Sequence, residues 1–156
     1  MFVLIPGNIL ASVVRKCCRD GDLLLVADNG KYVSRMPREI MEMVTIQSFQ
    51  AFKSTPDESS HFKVHNVDDG TILLQEDNGN YLCRVEDLWG SSIEASKSTP
   101  DRSCHFTVYN QPDGTVVSQA DNGKFLSRIY YIGGGQYIEA AKSQIDVICK
   151  FCFVQE

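Results

Sequence analysis

The chain has 156 residues, 43% of them hydrophobic and 22% charged, with a formal net charge of −5. That is the size of one ordinary domain with enough apolar content for a core, which excludes a disordered chain. The acidic balance argues against a nucleic-acid binder or a protein held to anionic membranes by a basic surface, and no apolar run approaches the roughly 20 residues that span a bilayer.

The first stretch, MFVLIPGNILASVV, is apolar but has no basic n-region and is broken by Pro6-Gly7. It reads as part of the mature protein rather than a signal peptide. Phe2, Val3, Leu4, Ile5, Ile9, Leu10, Val13 and Val14 are too apolar to be left in water. Met1–Arg19 is therefore expected either to cap its own subunit or to serve as the arm of a homodimer.

From Asp20 the chain repeats itself, the observation that governs everything after it. DGDLLLVADNGKYVSR (Asp20 to Arg35) returns as DGTILLQEDNGNYLCR (Asp69 to Arg84) and DGTVVSQADNGKFLSR (Asp113 to Arg128). A second landmark lies between the copies: FKSTPDESSHFKV, SKSTPDRSCHFTV and AKSQIDVICKFCF, starting at Phe52, Ser96 and Ala141. Lys53 to Lys97 is 44 residues and Lys97 to Lys142 is 45, whereas Asp28 to Asp77 is 49 and Asp77 to Asp121 is 44. The first repeat thus carries about five extra residues within Met36–Gln50. The units run from about 20 to 61, 62 to 105 and 106 to 154, in one domain covering 1–156.

Each unit reads as four short strands, in the second Phe62–Asn66, Thr71–Gln75, Tyr81–Val85 and Ile93–Ala95. Asn-Gly between apolar-aromatic runs, at Asn29-Gly30, Asn78-Gly79 and Asn122-Gly123, predicts three tight hairpins with type I′ turns and positive φ at both central residues. Arg38–Val44 is the one stretch with a helical look, a short turn in the longer first repeat. Phe62, Phe106, Phe151, Tyr32, Tyr81 and Phe125 are expected in the core. Three four-stranded units in one domain predict an all-β, closed, pseudo-threefold barrel with a hairpin triplet, the β-trefoil, since closure disposes of exposed strand edges. The C-terminal FCFV is expected to complete the first unit by lying beside Asp20–Arg35.

The signature DG-x-[VI]-x-[LS]-Q-x-DNG-[KN]-[YF]-[LV]-[SC]-R, followed by IEA-x-KS and F-x-V, resembles the repeat of the fascin-like β-trefoils, which include the actin-bundling fascins and the hisactophilins. The resemblance covers about Asp20 to Val154. It implies the trefoil fold and, as one functional expectation, actin binding. A superfold by itself does not fix function.

Catalysis has little support. His61, His65 and His105 show no metal spacing with the cysteines, and Cys149-Lys150-Phe151-Cys152 is expected on a strand, where residues three apart face opposite ways. No G-x-S-x-G, Walker or zincin motif occurs. No enzyme activity, metal or cofactor is expected. Of six cysteines, Cys83 and Cys104 align with Ser34, Ser127 and Ser60, which points to free thiols and a reducing, cytoplasmic location, with secretion lacking a conventional signal peptide as the alternative.

The aspartates Asp28, Asp77 and Asp121 are expected to accept backbone hydrogen bonds at their own turns, and Arg35, Arg84 and Arg128 to close each hairpin onto a neighbouring carboxylate or carbonyl. Binding is expected where the copies differ: MPREIMEMVTIQSFQ after Arg35, VEDLWGSS after Arg84 and IYYIGGGQ after Arg128. Exposed aromatics beside carboxylates and amides suit a sugar ring and its hydroxyls. The candidate ligand-binding residues are Asp87, Trp89, Arg84, Tyr130, Tyr131, Asp121 and Asn122. The leading expectation is a non-enzymatic carbohydrate- or glycoconjugate-binding protein with up to three weak sites; the rival is an actin-binding or other protein-interaction module.

Overall fold

The computed structural model describes residues 4–5, 8–9, 18–87 and 90–155. A two-stranded ladder, β1 (Leu4–Ile5) with β2 (Asn8–Ile9), precedes the repeats and is separate from the main sheet. Most of the expected cap or dimer arm in Met1–Arg19 lies outside the described residues. Cys18 and Arg19 join the domain itself: Cys18 is buried in the core, and the Arg19 backbone exchanges hydrogen bonds with the Gln155 side chain.

The repeats build β3 (Gly21–Val26), β4 (Tyr32–Ile40), β5 (Val44–Lys53), β6 (His61–Asn66), β7 (Thr71–Gln75), β8 (Tyr81–Asp87), β9 (Gly90–Lys97), β10 (Phe106–Asn110), β11 (Val116–Gln119), β12 (Phe125–Tyr131), β13 (Gly135–Lys142) and β14 (Cys152–Val154). Alternation does the folding: Leu23 and Leu25 in β3, Phe62 and Val64 in β6, and Ile72 and Leu74 in β7 point inward while their neighbours stay nearer water. Six strands close a ring in the order β3, β6, β7, β10, β11, β14. The last link, Val116 to Phe151, has its two backbone hydrogen bonds at 2.8 and 3.0 Å. FCFV lies beside the first copy as expected, with Cys152, Phe153 and Val154 opposite Val26, Leu25 and Leu24. The hairpins β4–β5, β8–β9 and β12–β13 cap one end of the barrel, touching through Ser48 with Glu94, Ser92 with Glu139, and Tyr137 with Gln50. This is a β-trefoil.

Phe62, Phe106 and Phe151 are core residues as expected. Tyr32, Tyr81 and Phe125 are only half-buried. Each starts its strand opposite a lysine (Lys53, Lys97, Lys142), one step before a register shift, so its ring covers the barrel edge instead of filling the centre. The second landmark has a job of its own. Asp57, Asp101 and Asp146 cap short 3-10 turns by accepting from the backbone N–H of Ser59, Ser103 and Ile148, and each pairs with the lysine four residues before it.

The turns differ from the type I′ expectation. Gly30, Gly79 and Gly123 have positive φ, but Asn29, Asn78 and Asn122 do not. With hydrogen bonds such as Gly30 N to Ala27 O and Ala27 N to Lys31 O, both 2.9 Å, each DNG is a type I turn closed by a left-handed glycine. Asn-Gly serves either turn; three loop residues instead of two select this one.

Arg38–Val44 is not helical. It is the end of a long hairpin, with β4 running to Ile40 and β5 starting at Val44. Its tip puts two non-glycine residues, Met41 and Glu42, at φ of 54° and 59°. That conformation costs an L-residue about 1 kcal/mol. Glu42→Gly is therefore expected to raise stability by about 0.5–1 kcal/mol in urea unfolding, since relief at the tip outweighs the added freedom of the unfolded chain. An unchanged midpoint would show that the tip is not held in this conformation.

Candidate functional site

The capping hairpins place their divergent ends around one opening on the pseudo-threefold axis. At its base lie Gln50, Glu94 and Glu139, one per repeat, all at least nine-tenths buried. Gly135 is required beside them. Its φ is +115°, and a Cβ there would sit 2.3 Å from Gln50 Oε1, which accepts from the Gln136 backbone N–H at 3.2 Å. Above them is a cavity of about 300 Å³ whose walls include Arg38, Asp87, Ser92, Tyr131 and Glu139.

Arg38 stands where the other repeats have Asp87 and Tyr131, three residues after the arginine of its repeat, and the added length lies beyond it, between Arg38 and its strand partner Ile46. Its guanidinium carbon lies 3.9 Å from the centre of the Tyr137 ring and 5.5 Å from that of Tyr131, and the two rings meet edge to face with centroids 5.8 Å apart. Among the described residues it makes no hydrogen bond and no ion pair within 4.0 Å, although a guanidinium carries five N–H donors. The acceptors opposite are also underused. Glu139 accepts from the Tyr131 hydroxyl, and Glu94 accepts from Ser92 Oγ at 2.8 Å; neither receives a second hydrogen bond among the described residues. Burial, and then the charge of Asp87, raises the pKa of both glutamates, while Arg38 opposes the rise. Burial and the Glu139 carboxylate push the Tyr131 hydroxyl up to about 12, so it stays a donor at neutral pH. The cavity thus offers unspent donors, unspent acceptors and aromatic walls.

The structure sorts the sequence candidates into two groups. Asp87 and Tyr131 line the cavity, and Tyr130, next to Tyr131 on β12, is exposed. Trp89 lies outside the described residues. Arg84, Asp121 and Asn122 instead belong to the frame. Arg84 grips Asp121 through Nε at 2.5 Å and Nη2 at 3.2 Å, holding the Asp121 carboxyl below its usual range. The other units do the same: Arg35 binds Asp77 at 2.9–3.0 Å, and Arg128 binds Asp28 at 2.6 and 2.8 Å. Each repeat's arginine thus holds the next repeat's DNG, and the third closes on the first. The expectation that these aspartates accept backbone hydrogen bonds at their own turns is corrected. The asparagines do so, Asn29 from Lys31, Asn78 from Asn80 and Asn122 from Lys124, leaving the aspartates for the arginines.

Two shallower grooves on the barrel wall are repeat equivalents, one with His61, Gln75 and Asp77 and the other with His105, Gln119 and Asp121. Their DNG carboxylates are already spent on arginine. Cys149 is buried in a 3-10 turn rather than on a strand, and Cys152 is exposed on β14, so the C-x-x-C sulfurs occupy different environments. Cys83, Cys104, Cys149 and Cys152 are free thiols, and Cys83 and Cys104 touch in the core where Ser34 and Ser60 hydrogen-bond at 2.8 Å. The sequence reading missed Arg38, Glu94 and Glu139. The inserted length flagged the hairpin of Arg38, and the IEA-x-KS stretches containing Glu94 and Glu139 were read as fold alone.

No protein-family model matches the chain, and no curated protein matches it in sequence. Solved structures match its fold. The designed threefold-symmetric protein ThreeFoil aligns with a TM-score of 0.70 at 15% identity, covering 88% of this chain and 100% of its own. The SDF2-like protein from Arabidopsis thaliana aligns at 0.67 and 16% identity, covering 87% and 93%. SeviL, solved with asialo-GM1 saccharide, aligns at 0.62 and 10% identity, covering 88% and 98%. At such identities likeness establishes architecture and nothing finer: the chain is a β-trefoil.

Proposed function

We propose that this β-trefoil is a non-enzymatic carbohydrate-binding module whose principal site is the axial cavity. One observation carries the reading. Arg38 is held against two tyrosine rings with its donors unspent, facing carboxylates that have acceptor capacity to spare. A sugar ring presents vicinal hydroxyls that both donate and accept, together with an apolar C–H face, and each has a counterpart in the walls. The lectin SeviL shows that this fold is used with saccharides, which supports the reading at the level of the scaffold. The three divergent loops converge on one cavity, so one shared site replaces the three weak sites expected from the repeat. The fascin-like motif is also part of the reading at the level of ancestry; its actin-binding implication has no supporting geometry among the described residues.

The test is a glycan array followed by calorimetry on any hit, with wild type and Arg38→Ala. Among the described residues the Arg38 guanidinium makes no hydrogen bond or ion pair, so its loss should leave folding intact while weakening sugar binding at least roughly tenfold, the worth of one charge-assisted hydrogen bond. An array at background, with cosedimentation on actin filaments, would replace this reading with the actin one.

A further inference from the structure

The large apolar side chains left most exposed are not scattered. Ile132 is 94% exposed, Met43 85% and Met41 71%, and all three sit at hairpin tips around the axial opening. The remaining hairpin is described as far as its last pair, Asp87 with Gly90. All tips lie at one end because the three hairpins cross at equivalent residues, Ser48, Ser92 and Tyr137. From there β9 and β13 each run two residues to their turns at Gly90 and Gly135, whereas β5 runs four, to Val44. At about 3.3 Å per residue the first tip reaches roughly 7 Å further than the others.

Separated apolar points on one face suit a broad soft surface better than a single protein pocket, and 7 Å is within the roughly 5–10 Å to which interfacial side chains sink. Charge chooses the surface. Glu39, Glu42 and Asp87 form an exposed acidic collar beside the tips, next to Glu86, whose carboxylate is paired with Arg84. A bilayer rich in phosphatidylserine would repel that collar, whereas the outermost charges of phosphatidylcholine are choline ammonium groups. We propose that the hairpin-tip face docks on a phosphatidylcholine-type membrane surface, with Met41, Met43 and Ile132 entering the headgroup layer and the collar meeting the cholines. The chain does not cross the bilayer in this arrangement, and Glu39, Met41 and Asp87 also wall the cavity, so the docking face surrounds the cavity mouth.

Flotation with phosphatidylcholine vesicles tests it. The full chain should float, and the bound fraction should fall when phosphatidylserine replaces part of the phosphatidylcholine. The double variant Met43→Asp/Ile132→Asp should lose roughly tenfold or more in vesicle affinity, because two apolar side chains no longer leave water and two charges must approach the interface. Both positions are exposed, so melting temperature should not move; Met43→Gln/Ile132→Gln repeats the test without added charge. Three results would each overturn the proposal: wild type that stays at the bottom with phosphatidylcholine, variants that float as well as wild type, or binding that requires phosphatidylserine. Sugar binding on the glycan array is read separately, so the two proposals can fail separately.

Discussion

Stability should fall as pH rises from about 5 to 9, and Glu76→Ala should remove most of that fall. Glu76 occupies a position that the other repeats fill with Ala27 and Ala120, both buried. Its side chain is fully enclosed, neither carboxyl oxygen has a hydrogen-bond partner among the described residues, and the Arg35 Nε cation is 3.7 Å away and already engaged with Asp77. Burial, and then the neighbouring Asp77 carboxylate, raises its pKa from 4.5 to about 9. The folded chain therefore keeps a proton that the unfolded chain releases. Where the unfolded state binds fewer protons, stability falls with rising pH, by at most about 1.4 kcal/mol per unit for one group. At pH 8 the alanine variant should exceed wild type by about 3–5 kcal/mol in urea unfolding, a gap that shrinks toward pH 5. Glu94 and Glu139 shift in the same direction, so a shallower slope of the same sign should remain. Glu76→Gln should flatten the pH dependence too, yet stay less stable than alanine, because its amide is buried without partners. Parallel wild-type and alanine curves would mean that Glu76 escapes to water.

Such a residue is the kind of detail a repeat conceals. Three copies in order revealed strand count, closure and the phenylalanine core, because each is enforced three times by the same burial requirement. Turn type was less legible, since Asn-Gly is compatible with two loop lengths and only the backbone chooses between them. The roles of Asp28, Asp77 and Asp121 could not be read from one unit, because their partners sit in the preceding unit, up to 100 residues away. The site was half legible. Divergence after each arginine found the hairpins of Asp87 and Tyr131, but assigned Arg84, Asp121 and Asn122 to binding when their hydrogen bonds hold units together. Arg38 lay in a stretch read as helical, and two positive-φ residues without glycine hid the hairpin tip that aims it inward.

Arg128→Ala should destabilise the chain by about 2–4 kcal/mol, more than Arg35→Ala, although the two arginines are repeat equivalents. Arg128 grips Asp28 with two parallel hydrogen bonds at 2.6 and 2.8 Å, with the side chains 17% and 12% exposed. Removing the guanidinium strands a carboxylate that water reaches poorly. At the Arg35 clamp one hydrogen bond, from Nε at 3.0 Å, and the closest Nη2 contact, at 2.9 Å, go to the same oxygen, and Asp77 is 31% exposed, so water can replace the lost partner. Arg128→Lys should recover little, because an ammonium is a point charge and cannot span both oxygens. The Arg128–Asp28 contact also joins the last unit to the first, beside the backbone pairings of β14, Phe151 and the β13–β5 bridge that close the same seam. A double-mutant cycle with Asp28→Ala isolates the pair from the other contacts of each side chain. Coupling near zero would mean that strand pairing alone closes the barrel. Coupling of about 1–3 kcal/mol would show that the arginine which ends each repeat motif binds three copies into one domain.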